Sequence, residues 1–389
     1  MAIFKNFKIY NNELCPCKSG KKYKECCKIK PTKTFPNEKA SIAFIHKLFR
    51  KSLIKTCVYD GCAAKAKDII DAHAMQENKI LIQLCENDEV YMLPIKEKHP
   101  EILSFFDGTK EPIHFLELIH KKNATVQNCF CSKHDNNLFA IIEKAEYPFR
   151  KDNIEQLFMF AYRTFAFEYY KARMMPSFFS KCCKEIPQLM KVKKIVFQYR
   201  QAIKKNEELE HYKSIFDNAI KSKDFSQLET YTLELPYNIS FANYCSIAPV
   251  FCLDGKSVWS IKNGKMKRLF ISVFPDNGKS YVLISVFKQD MDVYKHFFDC
   301  LRNSNDELLI MYLNAILPFY SENMIISPRL WDFWNNSQRM YVNFMVSETS
   351  FEKHLIEMQK NFIAINRFNY TVNQDTLDNM KVNLFKKIR

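Results

Sequence analysis

Between residues 153 and 175 large side chains return every three or four positions. Leu157, Phe160, Ala161, Thr164, Phe165, Glu168 and Tyr169 share one side at 3.6 residues per turn, so a long, largely buried helix is expected there. A shorter helix is predicted from Glu38 to Lys51, where Ile42, Phe44, Ile45, Leu48 and Phe49 form the apolar face. From Lys191 to about Tyr231 the stripe Val192, Ile195, Tyr199, Ile203, Tyr212, Ile215, Phe216 and Ile220 predicts one or two amphipathic helices. Short strand-like runs lie at 67–73, 89–93 and 124–127, with a helix starting near Asp135 and reaching Glu143. Beyond residue 236 the texture turns to strands. Ser246–Leu253 is one run, and 269–274 and 280–287 flank Pro275-Asp-Asn-Gly-Lys279, the clearest hairpin in the chain. Helical patterns return at 294–301, 306–320 and 352–365.

These elements predict an α+β fold in four pieces: a small module at 1–35, a second unit at 36–150, a helical segment at 151–235 and an α+β domain at 236–389. The prolines of Lys30–Pro36 read as a linker. No run of eighteen apolar residues exists and residues 1–8 lack the apolar core of a secretion signal, so a cytoplasmic protein with no membrane partner is expected. In such a reducing compartment the 14 cysteines suggest metal binding before disulfides. Cys85, Cys182, Cys183, Cys245, Cys252 and Cys300, scattered among apolar residues, are expected to be packing.

Charge changes the picture at one end. Of the net +15, the first 35 residues carry +7, which favours anionic partners such as nucleic acid or the ribosome. The same stretch holds Cys15-Pro-Cys17 and Cys26-Cys27 on either side of Ser19-Gly20. Two close thiolate pairs supply the four corners of a tetrahedral zinc site, and Lys18, Lys21, Lys22, Lys24 and Lys28 offset its negative charge. The run Cys-Pro-Cys-Lys-Ser-Gly-Lys-Lys-Tyr-Lys-Glu-Cys-Cys-Lys at 15–28 resembles the SEC-C motif, with Lys18 where that family usually has Gly. The resemblance implies Zn²⁺ on Cys15, Cys17, Cys26 and Cys27. It also implies an accessory docking role, on a nucleic acid, a ribosome or a protein, since the motif ends the export motor ATPase SecA and decorates unrelated proteins.

A second zinc set is expected from Cys57, Cys62, Cys131 and His134, in the order knuckle, hairpin, helix of a treble clef. Between its halves lies Asp71-Ala-His73. The layout resembles HNH-type nucleases. That resemblance implies His73 as a general base and Asp135 as ligand to a catalytic Mg²⁺, with Asn136 or Asn137 orienting the base. His73 could equally be structural or a zinc ligand. Glu168, near Arg163, reads as a buried ion pair or a site residue. The leading expectation is a bacterial zinc-binding accessory protein docking through its basic end; the alternative is an HNH-like metal-dependent nuclease of a defence or mobile-element system.

Overall fold

The computed structural model describes residues 7–94, 101–104, 110–258, 267–321, 323–347 and 351–388; the first six residues of the 1–35 module therefore lie outside it. The fold is α+β, as the sequence predicts. The chain passes through two compact units more than once: unit 1 comprises 1–69 and 166–218, unit 2 comprises 70–165 and 219–389. The segment expected as one helical piece, 151–235, thus contributes to both.

In unit 1, helix α1 spans Glu38–Arg50 and starts at Asn37, whose side chain accepts from the Ala40 N–H. Its Leu48 packs with Cys182 and Ile186, against which Phe35 and Phe44 also lie. The expected linker is therefore docked: Gln188 donates to the Lys33 carbonyl at 2.6 Å and accepts from the Lys33 N–H at 3.2 Å.

In unit 2, strand β1 (Ile69–His73) pairs with β6 (Val126–Cys131). Between them lie a helical turn α2 (Ile82–Leu84) and strands β2 (Glu89–Met92), β3 (Glu101–Ser104), β4 (Lys110–Ile113) and β5 (Glu117–His120). Strands β3 and β4 pair with each other. Helix α3 (Ser132–Glu143) follows β6 directly. The larger sheet has seven antiparallel strands in the order β5-β2-β11-β8-β9-β10-β7, where β7 is Leu228–Leu235, β8 Phe241–Ile247, β9 Leu269–Asp276, β10 Lys279–Phe287 and β11 Met324–Ile326. The β9–β10 hairpin turns at Asn277 and Gly278 with φ of 52° and 85°, the positive pair a two-residue turn demands.

Strands β8, β9 and β10 are buried almost throughout, because both faces are covered. Leu269, Ile271 and Val273, with Val282, Ile284 and Val286, face the large core shared with α6 (Met291–Asn303) and α7 (Asp306–Tyr320). The alternate residues meet the first part of α4 (Ile154–Glu185): Phe160 stacks on Phe274 at 4.5 Å, and Thr164 hydrogen-bonds Ser272 at 3.1 Å. The C-terminal helices α8 (Pro328–Phe333), α9 (Asn336–Val346), α10 (Phe351–Arg367) and α11 (Gln374–Asp378) supply more of the same core through Leu330, Val342, Phe362 and Leu377.

Three boundaries differ from expectation for physical reasons. Helix α4 runs across Pro176 to Glu185, because Phe179, Cys182 and Cys183 have cores to enter beyond it. Helix α5 (Lys193–Ser222) stops short of Tyr231 at Lys223, whose φ of 56° ends it, and β7 takes over from Leu228. Strand β8 begins earlier and stops at Ile247, two residues before Pro249, which has no N–H to give a ladder. The unit expected at 36–150 carries a long insert between its two ligand pairs. Its insert lends β2 and β5 to the seven-stranded sheet, where Val90 and Met92 are fully buried.

Candidate metal centre

The amino-terminal module is built by a tight reversal. Cys15 N–H donates to the Lys21 carbonyl at 2.8 Å, Tyr23 N–H to Glu13 at 2.8 Å, and Leu14 bridges Lys22. The turn passes through Lys18 and Gly20 with φ of 60° and 76°. Lys18 thus occupies the left-handed region that a glycine enters without penalty, at a cost of ~1–2 kcal/mol for a side-chain-bearing residue. The departure at this position is tolerated by the turn, with its side chain in solvent. Two 3₁₀ turns, Tyr23–Glu25 and Cys27–Ile29, then bring the second thiol pair back onto the first.

The sulfurs of Cys15, Cys17, Cys26 and Cys27 all lie within 4.8 Å of one another. Cys17 and Cys26 are 3.5 Å apart, Cys26 and Cys27 3.9 Å. A tetrahedral ZnS₄ site has sulfur–sulfur edges of about 3.8 Å at the usual bond length. The residues present therefore fit zinc. Burial acts against ionisation of Cys17, but hydrogen bonds from Ser19, Cys15 and Cys26 outweigh it and bring the thiol down to about 6. Burial pushes Cys15 and Cys27 up, as expected of thiols that ionise only against a cation.

The module also has a floor that the sequence reading missed. Ile9, Cys15, Tyr23 and Cys27 pack with Phe179 and Cys183 of α4, Met190, and Val196 of α5. Cys183, expected to be plain packing, lies 3.9 Å from Cys15 Sγ, and burial holds it as a thiol up to about 12. A protonated Cys183 can donate S–H to the Cys15 thiolate, leaving four ligands and one donor. Arg200 fixes the outer edge, donating to the Glu13 carboxylate at 2.8 Å and the Lys8 carbonyl at 2.7 Å. No local pattern marks Cys183 as different from Cys182; only the fold does.

The second expected ligand set divides between the two units as two pairs. In unit 1, Cys57 and Cys62 flank a turn at Gly61 with φ of 69°, and the Ala64 N–H points at Cys62 Sγ at 3.4 Å. In unit 2, Cys131 caps α3, and its sulfur lies 3.3 Å from His134 Nδ1 one turn on. Burial, with Lys133 beside it, holds the His134 imidazole below its ordinary pKa and so in the neutral form that a metal needs.

His73 ends β1 and points Nδ1 at the Ala124 carbonyl at 2.9 Å, so that nitrogen carries the proton, while Nε2 faces Glu77 at 3.6 Å. Burial lowers its pKa, against the pull of Glu77. Asp135, in the first turn of α3, is turned inward: its carboxylate faces Arg163 at 3.6 Å. Asn136 donates to Ser132 at 3.3 Å rather than to His73. Arg163 is 1% exposed and pairs with Glu143, donates to the His73 and Ala74 carbonyls, and stacks over Phe139 at 4.2 Å. Glu168, read as an ion-pair or site residue, pairs with Lys205.

Residues 12–28 match the family model of the SEC-C motif. Neither the curated proteins nor the solved structures contain a match to this chain. Motif and geometry agree that the cluster of Cys15, Cys17, Cys26 and Cys27 can hold zinc. Among the described residues no helix is long and apolar enough to cross a membrane.

Proposed function

We propose that the chain is a zinc-binding accessory protein whose amino-terminal module docks on a nucleic-acid surface, ribosomal RNA included. The observation that carries this reading is the face of the module: Lys18, Lys21, Lys22, Lys24, Lys28 and Lys30 are all exposed around the cysteine cluster. Among the described residues, Lys18, Lys21 and Lys22 have no acidic partner, so their charge is available to phosphates. A zinc knot holds these ammonium groups in a fixed arrangement, which a basic disordered tail does not.

Binding to a duplex or a structured RNA should weaken with salt, and replacing Lys18, Lys21 and Lys22 together by Gln should shrink the log–log slope by about 2–3. An unchanged slope would remove the docking surface from this module. The same preparation with Mg²⁺ should leave plasmid DNA intact. Asp135 favours this outcome, since its carboxylate already faces the guanidinium of Arg163 at 3.6 Å. Nicking that His73→Ala abolishes at unchanged zinc content would transfer the function to HNH-like hydrolysis.

Zinc at the second expected ligand set, the pair Cys57 and Cys62 and the pair Cys131 and His134, belongs to the same reading. Support comes from each pair separately: a glycine turn with an N–H aimed at sulfur in one, and a thiol and imidazole at ligand spacing in the other. Each pair alone offers half a tetrahedral site. Cys62→Ser should therefore lower the zinc content of the folded chain by one equivalent, measured by elemental analysis. Equal zinc in variant and wild type would show the pairs to be unligated.

A further inference from the structure

Outside the cysteine-rich first third, unit 2 gathers a separate set of ligand groups. The chain leaves β8, and at Cys252 makes a narrow reversal: the Gly255 N–H returns to the Cys252 carbonyl at 2.9 Å, and the Cys252 N–H donates to Lys256 at 2.8 Å. Gly255 has φ of 77°, and a Cβ there would sit 2.5 Å from Ile363 Cγ1 and 2.6 Å from the Ile363 nitrogen. Helix α10 thus presses on the turn at a position that only glycine can fill. The turn holds the Cys252 and Asp254 side chains toward α6.

On α6, His296 and Cys300 are four residues apart and so share a face. His296 Nε2 meets Asp254 Oδ2 at 2.8 Å and Cys300 Sγ at 3.6 Å. Cys252, Asp254 and His296 each offer an atom within 4.8 Å of the other two. One ring nitrogen therefore faces a carboxylate and a thiol together. A single N–H can serve one of them; a cation between them serves both. For comparison, the N–O and N–S edges of a tetrahedral zinc site are about 3.3 and 3.6 Å.

We propose that Cys252, Asp254 and His296 form a zinc site, completed by Cys300 moving in from its place beside His296, that clamps the 252–256 turn to helix α6. Two thiolates and an imidazole are soft or borderline donors, which select zinc over the oxygen-seeking Mg²⁺ and Ca²⁺. Two ligands come from a glycine turn and two from one helix face, the division of labour common in structural zinc sites. The site is part-buried: Cys252 is 2% exposed, while the side chain of His296 is 48% exposed and gives an ion its way in. Lys256 now approaches Asp254 at 3.0 Å. Its side chain is 71% exposed and can swing into solvent when zinc takes its place. Binding would deprotonate the two thiols and release those protons to solvent, with no change of oxidation state.

The test uses the full chain, saturated with ZnCl₂, desalted and measured for zinc per chain together with its far-ultraviolet circular dichroism. His296→Ala removes an exposed ligand and leaves a good helix former, so the fold should be unchanged. The expected result is one equivalent less zinc than wild type, with an identical dichroism spectrum. His296→Cys, which keeps a ligand at the same place, should restore that equivalent. Equal zinc in wild type and His296→Ala overturns the proposal, as does a loss that His296→Cys fails to restore.

Discussion

Stripping zinc from the intact chain with a strong chelator should unravel residues 7–30 while the seven-stranded sheet stays folded. The module contributes only Ile9, Tyr23 and two of its own ligands, Cys15 and Cys27, to the cluster it shares with Phe179, Cys183, Met190 and Val196. Without the ion, these four side chains, two of them the ion's own ligands, cannot offset the entropy of ordering some twenty residues, at about 1–2 kcal/mol each. Zinc binding in comparable peptides supplies ~10–16 kcal/mol, and here that energy is folding energy. The readout is amide hydrogen exchange. Cys15 and Tyr23, whose N–H groups are tied to Lys21 and Glu13, should exchange orders of magnitude faster in the metal-free chain. Amides of β9 and β10 should not change. Protection at Cys15 and Tyr23 that survives complete zinc removal would mean that packing alone holds the module.

The second large effect is expected from Arg163→Met. Arg163 is almost wholly buried, and its guanidinium satisfies two backbone carbonyls, pairs with Glu143 and faces Asp135. Methionine keeps much of the volume over Phe139 but leaves two inward carboxylates without a counter-charge. Breaking a buried pair from one side costs ~3–5 kcal/mol, and urea unfolding of the variant should show a loss of that size. Burial already raises the Glu143 pKa despite the opposing pull of Arg163. With the arginine gone the rise should grow. A carboxyl whose folded pKa is raised binds its proton more tightly in the native state. Acidification through the interval between its unfolded and folded values therefore favours folding. The deficit of Arg163→Met should consequently shrink as pH falls through the folded pKa of Glu143. Adding Glu143→Gln should recover part of it at neutral pH. A pH-independent loss below ~1 kcal/mol would mean that Arg163 acts through packing alone.

Much of the local structure was legible because its causes are local. Ile42, Phe44, Ile45 and Leu48 repeat at helical spacing, and α1 forms where that spacing lies. Asn277-Gly278 can adopt the two positive φ angles, and the hairpin turns there. Reading failed where a local stop signal was overridden. Pro176 marks an end by itself, but Phe179 and Cys183 beyond it are drawn into the cluster with Cys15 and Cys27, and the helix continues. Reading also could not place the strand-like run at 89–93, which as β2, beside β5, joins a sheet completed by Met324–Ile326.

The amino-terminal ligand set needed no fold to be recognised. Its sulfurs lie within thirteen consecutive residues, and the number and pairing of thiols already specify the ion and the reversal around it. Cys183 beside Cys15, Arg163 between Glu143 and Asp135, and His296 against Asp254 are different in kind. Each joins residues between 20 and 168 positions apart, and no short-range preference says which of many cysteines, acids or histidines will meet. That choice was made by the sheet and the helices packed on it, because burial brings distant groups together and then requires that each polar one find a partner.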